Sequence, residues 1–187
     1  TFQRLPETGY SLPNTALFNS PLLFGMEGDF VNFYREQGFG LNRVNVAPSL
    51  STDVIDFGHI VGITPQAKFR EVYYTRGAQS DDALHRETFW TGVDASSKLS
   101  RRFGLDGGGS LLHTIEPNVM YEYVPGTDQS KIAQIDQIDD LPKKNLLTYA
   151  LRNRILEHDG SSTFNWLDLT VAQSYHDSRE RLGFPML

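Results

Sequence analysis

Few side chains in this sequence stand where spacing alone would let them do chemistry. His113 and Glu116 lie three apart, which would suit a metal pair on a helix, but on a strand they point to opposite faces. Asp81, Asp82, His85 and Glu87 form one acidic cluster and Asp136, Asp139 and Asp140 another. Neither has the Asp-x-Asp-x-Asp-Gly spacing of a calcium loop, so solvated acidic loops are the plainer reading. Gly107-Gly-Gly109 is followed by Ser110 and Leu111 rather than the Lys-Ser/Thr of a phosphate-binding loop, and reads as a turn. Ser162 and Ser174 lie near His158 and His176, yet no Gly-x-Ser-x-Gly elbow presents a serine nucleophile, so a hydrolase is poorly supported. The chain has no Cys, which removes disulfides, thiolate metal sites and cysteine nucleophiles.

More telling are six cations inside otherwise alternating segments: Arg43, Lys68, Arg70, Lys98, Arg152 and Arg154. With 17 Lys+Arg against 23 Asp+Glu the 187-residue chain carries a net charge of −6. That balance opposes a nucleic-acid surface, which needs a basic stripe. The acids Asp94, Glu116, Glu122 and Asp168 fall on the same parity as these cations, so pairing across neighbouring strands is their simplest role.

What positions them is a period of two. From Ile55 to Tyr73 the odd positions are largely apolar (Ile55, Phe57, Val61, Ile63, Phe69, Tyr73), and the even ones are small, polar or cationic. Val44, Val46, Pro48 and Leu50 oppose Arg43, Asn45, Ala47 and Ser49. Phe89, Val93, Ala95, Leu99 and Phe103 oppose Thr88, Asp94, Lys98 and Arg102. The same sorting returns at Ile115–Tyr123, Leu147–Ile155 and Leu167–Tyr175. With Leu22 to Arg35 and a first strand within Phe2 to Tyr10, about eight long antiparallel strands are predicted, and the fold class is all-β. Arg76–Arg86, Gly104–Ser110 and Pro125–Lys144 read as loops. The last is the longest and most acidic, and Ile132, Ile135 and Ile138 predict that part of it packs inward.

Two architectures accommodate this pattern. In a soluble antiparallel β-sandwich or small barrel, the apolar face packs a core and the chain would be a binding module. In an outer-membrane barrel, the apolar face meets lipid and the polar face a wet lumen. No apolar run approaches the ~18 residues of a membrane-spanning helix, which does not bear on a barrel. Long strands, mid-strand cations and aromatics near strand ends (Phe33, Tyr34, Tyr73, Tyr74, Phe89, Trp90, Tyr121, Tyr123) favour the barrel. Periodicity leaves both open. The opening TFQRLPETGY has no initiator Met and no signal-peptide pattern, so the chain reads as a piece of something longer.

The segment from His113 to Gln129, with Glu116-Pro117, Tyr121, Tyr123-Val124-Pro125 and Asp128-Gln129, resembles a signature in the C-terminal barrel of the LptD (OstA/Imp) family of outer-membrane lipopolysaccharide-assembly proteins. Gln134-Ile-Asp136 and the strand Asn145 to Arg154 continue the likeness. Upstream, Gln3-Arg-Leu-Pro-Glu7, Asn32-Phe-Tyr-Arg35, Arg43 to Ser51, Pro65 and Glu71 to Tyr74 are similar to the preceding family strands; Ile135 departs from the usual aromatic. This resemblance implies that residues 1–187 form a single middle section of a large transmembrane barrel, without the N-terminal periplasmic domain or the family's lateral gate. It further implies lipopolysaccharide as the transported molecule, an LptE-like plug lipoprotein and periplasmic bridge proteins as partners, an outer-membrane location, and neither a chemical step nor a cofactor. A cation facing lipid at mid-depth costs roughly 2–4 kcal/mol. The expected lumen-facing set is therefore Arg43, Lys68, Arg70, Lys98, Glu116, Glu122, Arg152 and Arg154, with Arg70, Arg152 and Arg154 each beside Glu116, Glu122 or a neighbouring acid.

Overall fold

The computed structural model describes residues 3–160 and 162–176. Phe2 of the first expected strand and the closing RLGFPML stretch lie outside the described residues. The strands are β1 (Gln3–Ala16), β2 (Leu22–Tyr34), β3 (Leu41–Thr52), β4 (Ile55–Phe57), β5 (Val61–Tyr74), β6 (Leu84–Ser97), β7 (Leu99–Gly104), β8 (Ser110–Val124), β9 (Lys144–Asp159) and β10 (Ser162–His176). They join in one sheet whose main path is β1-β2-β3-β5-β6-β8-β9-β10, with β4 on β5 and β7 on β8. The eight long strands of the alternation form that path. β1 and β10 stand at its two ends and do not pair with each other among the described residues. No second sheet covers this one there, so the sandwich reading finds no partner layer.

Two runs are subdivided where the alternation looks continuous. Ile55–Tyr73 is a hairpin in which Ile55 faces Ile63 and Phe57 faces Val61. Partners across this turn share parity, so the hydrophobic pattern passes through it unbroken. The turn is marked by left-handed backbone at Gly58 (φ 66°), where glycine carries no Cβ penalty, and at His59 (φ 59°). Phe89–Phe103 breaks at Lys98, and β7 continues along β8 with Leu99 opposite Ile115 and Phe103 opposite Leu111. Strand β6 also begins earlier than expected, inside the Arg76–Arg86 loop. Arg86 and Thr88 are its buried polar-face residues, and a polar inward face conceals a strand from a search for apolar runs.

By internal packing the chain forms two compact units. One holds the chain up to Asp53, Pro65–Gly92 and Tyr123–Lys144; the other holds Val54–Thr64, Val93–Glu122 and the chain from Asn145 on. In the first unit, β2, β3 and β5 present Val31, Phe33, Leu41, Val72 and Tyr74 on one face, and Ile132 and Ala133 of the 125–143 connection fold onto it to make a buried cluster. Partners Val31–Arg43 and Phe33–Leu41 on β2–β3, and Arg43–Tyr74 on β3–β5, set these side chains on the same face. In the second unit, β9 pairs with β10 through Leu147–Tyr175, Leu151–Val171 and Arg152–Thr170.

The opposite face is exposed and apolar. Val44, Val46, Ile55, Phe57, Val119, Leu147, Leu151 and Leu169 are all exposed, Val46 by 42% and Leu151 by 46%. Val61, Ile63, Tyr121 and Leu167 of the same predicted set are half-buried. No member of the set is in a core. A bulge between Asn165 and Leu167 shifts the parity of β10, so Trp166 is exposed with Leu167 next to it in sequence, and Phe164 stacks edge-on against Trp166 at 5.1 Å.

Candidate functional site

The polar face of the first unit is organised around Arg43. Its side chain is 1% exposed on β3, a position that demands partners for a permanent cation. The 125–143 connection supplies them. Nη1 and Nη2 of Arg43 donate to the two carboxylate oxygens of Asp136 at 2.7 and 3.0 Å, a bidentate pair. Nη1 also reaches Asp139 at 3.0 Å. Asp29 on β2 lies 3.5 Å away, and the Phe33 ring lies 5.0 Å below the guanidinium.

Asp139 is 0% exposed and receives four donors. Its Oδ1 accepts from Arg43 and from the Tyr74 hydroxyl at 2.8 Å; its Oδ2 accepts from the backbone N–H groups of Ile135 and Asp136 at 3.1 Å. Asp136 accepts additionally from Arg4 at 2.9 Å and from the Ile138 N–H at 2.9 Å. Burial alone would raise the Asp136 carboxyl, but the hydrogen bond and charge of Arg43, helped by Ile138 and Arg4, hold it below its ordinary value. Arg86 on β6 completes the clasp: its guanidinium donates to the carbonyls of Asp139, at 2.6 Å, and Ile138. Gln129 mimics a backbone pair with Leu141, donating to its carbonyl at 2.6 Å and accepting from its N–H at 3.0 Å. The Asp136, Asp139 and Asp140 cluster is therefore not a solvated loop: its first two carboxylates are structural ligands for one arginine.

Elsewhere on that face Lys68 pairs with Glu27 at 2.5 Å. In the second unit Glu116 lies between Arg154 at 3.1 Å and Lys98 at 3.6 Å, and Arg152 binds both oxygens of Asp168 at 2.8 and 2.6 Å. Asp94 accepts from Asn118 at 2.8 Å, and Glu122 is half-buried on β8. Across the sheet face, His113 meets Asn153 at 2.9 Å, which separates it from Glu116 as strand parity requires. Among the described residues no group of three His, Asp or Glu side chains is arranged to hold a metal ion.

The sequence of this chain has counterparts among known proteins. A family model described as LptD, LPS transport system D, matches residues 1–185. The chain belongs to the LptD family. It is similar to the LPS-assembly protein LptD of Nitrosospira multiformis, 25% identical over 178 residues that cover 83% of this chain and 19% of that protein. It is also similar to the LPS-assembly protein LptD of Cupriavidus pinatubonensis, 26% identical over 181 residues, covering 80% and 21%. The chain thus spans about a fifth of the length of these relatives.

Within this LptD-family section, Arg154 and Arg152 meet the expected acids, Glu116 and Asp168. Arg70 forms no direct ion pair among the described residues, and the carboxylates whose charges act on it are Glu27 and Asp29 on β2. Arg86, Tyr74 and Gln129 belong to the site and carry no motif. The one signal available for the clasp is the Asp136–Asp139 spacing beside three isoleucines, which marks an acidic segment too apolar to float free.

Proposed function

We propose that this chain is a wall section of an outer-membrane barrel that carries lipopolysaccharide to the outer leaflet. The observation that supports the reading most is a single sheet with an exposed apolar face and a charged, paired face, in a chain whose family model is described as an LPS transport component. Under this reading the apolar face meets hydrocarbon, and Arg43, Lys68, Arg70, Lys98, Glu116, Glu122, Arg152 and Arg154 line the lumen. Lipid contact would be too costly for any of these charges at mid-depth. The role is transport and assembly, with no bond made or broken.

The full protein would work with an LptE-like plug lipoprotein inside the barrel, and would receive its cargo from periplasmic bridge proteins through a domain outside this section. The clasped 125–143 connection, folded onto the polar face, offers such a plug a preformed wall rather than a mobile loop. The test uses cells depleted of the endogenous full-length protein. Restoring it should restore newly made lipopolysaccharide at the cell surface. Surface delivery that continues at the normal rate throughout depletion contradicts the reading.

A further inference from the structure

The apolar face of the second unit is interrupted by a polar row. Register sets Arg101 of β7 opposite His113 of β8, so both project from the face that carries Leu99 and Ile115. His113 Nε2 lies 2.9 Å from Oδ1 of Asn153 on β9, which extends the row to a third strand. Asn153 stands opposite Leu169 on β10 and two residues from Leu151, both exposed. Arg101 is exposed, with the Phe103 ring 5.1 Å from its guanidinium, and among the described residues it pairs with no carboxylate. Glu157, the acid on this face of β9, is held by the Trp166 indole N–H at 2.6 Å. A cation on a lipid-facing surface is costly at mid-depth and nearly free at the interface, so the row marks where hydrocarbon ends. Beyond it stand Phe103, Phe164 and Trp166, all exposed, as in the aromatic girdle of a membrane boundary.

We infer that Arg101 and Asn153 hold the headgroup phosphate of an anionic glycerophospholipid against the outside of the wall, with His113 orienting the amide. The inference rests on the reading of the apolar face as lipid-facing and goes beyond it in naming a bound lipid and its leaflet. Arg101 and Asn153 flank His113 one strand away on each side, at a spacing of about 4.8 Å per strand, so one phosphate can meet both. The guanidinium fork takes two phosphate oxygens and the Asn153 amide N–H a third. Acyl chains then run along Leu99, Ile115, Leu151 and Leu169. The strands that carry the row are joined at this end by residues 105–109 and 160–161, whereas residues 125–143 join β8 and β9 at the other. Short connections face the periplasm in outer-membrane barrels. The lipid therefore belongs to the periplasmic leaflet, opposite the one to which the cargo is delivered.

The experiment uses the full-length protein in vesicles of phosphatidylcholine with a minor share of phosphatidylglycerol. The photocrosslinker benzoylphenylalanine replaces Phe103 in one preparation and Leu151 in another. Per molecule of each lipid present, phosphatidylglycerol should crosslink at position 103 about five-fold more than phosphatidylcholine, the preference one interfacial arginine confers. Arg101→Gln should abolish that preference, and Arg102→Gln, on the other face of β7, should leave it unchanged. If Arg101→Gln fails to assemble, raising the salt carries the test without it. Salt should screen the preference away at position 103 while total lipid crosslinking at position 151 stays the same. Equal yields of the two lipids at 103, a preference that survives both Arg101→Gln and high salt, or no lipid at 103 despite lipid at 151 overturn the headgroup site. Each of these leaves the lipid-facing wall standing. Absence of lipid crosslinks at both positions overturns wall and site together.

Discussion

Asp139 shows how much of this section depends on one carboxylate. It is fully buried, binds Arg43 and Tyr74, and closes the turn of its own loop through two backbone donors. Asp139→Asn keeps the shape but takes a negative charge from beside a buried cation, and breaking a buried pair in this way costs about 3–5 kcal/mol. The full-length protein carrying it should show a clearly lower thermal midpoint in detergent. Arg152→Ala should leave that midpoint nearly unchanged, since the Arg152–Asp168 pair is exposed and solvent-screened. Equal effects of the two would mean the clasp is not a structural anchor. The Asp136 carboxyl titrates below its ordinary value of 3.8, so its contribution is complete above that value and is lost only as pH falls through the lowered one. Amide exchange across Ile135–Asp139, corrected for intrinsic rates, should therefore be flat from pH 7 to 5 and accelerate only below about pH 4. Acceleration already at pH 5 to 6 would contradict the assignment.

At the scale of elements, the 125–143 connection is the part the sequence disclosed least. Its length and its isoleucines were visible, and Ile132 is indeed buried against Val31, Phe33, Leu41 and Tyr74. Its partners were not visible, because Arg43, Tyr74 and Arg86 come from three strands far off in the chain and meet only through sheet register. The long strands were legible for the opposite reason: a period of two is a local property and survives whatever lies beside it. For the same reason the Gly58 turn was missed, since the alternation crosses it in phase. For Arg70 parity names the face, while the acids whose charges act on it, Glu27 and Asp29, follow from register. Deleting Lys131–Asp140 should uncover the buried apolar cluster and leave Arg43 without Asp136 and Asp139. The expected outcome is a sharp fall in folded, outer-membrane-assembled full-length protein and in copurifying plug lipoprotein. Normal yields of both would make the loop a spacer.

For the molecule as a whole, the central proposal is that hydrocarbon lies on one face of the sheet and water on the other. Leu151→Arg, on the exposed apolar face, should destabilise the folded barrel by about 2–4 kcal/mol in bilayers, while Thr148→Arg on the polar face should cost far less. Solvent-exposed apolar residues are ordinary when scattered, but their recurrence at alternate positions, Val44 and Val46 in one unit and Leu147, Leu151 and Leu169 in the other, needs a non-aqueous neighbour. Membrane lipid is the neighbour proposed. The most direct test uses this section, which has no Cys of its own, within a full-length protein whose cysteines elsewhere are changed to serine. Single cysteines placed one at a time from Leu146 to Arg152 in the full-length protein, reconstituted in vesicles, are given a fluorophore and quenched either by brominated lipid or by aqueous iodide. Lipid quenching should peak at positions 147, 149 and 151 and iodide quenching at 146, 148, 150 and 152. Iodide quenching at 147, 149 and 151 with no lipid quenching anywhere on the strand would contradict the account.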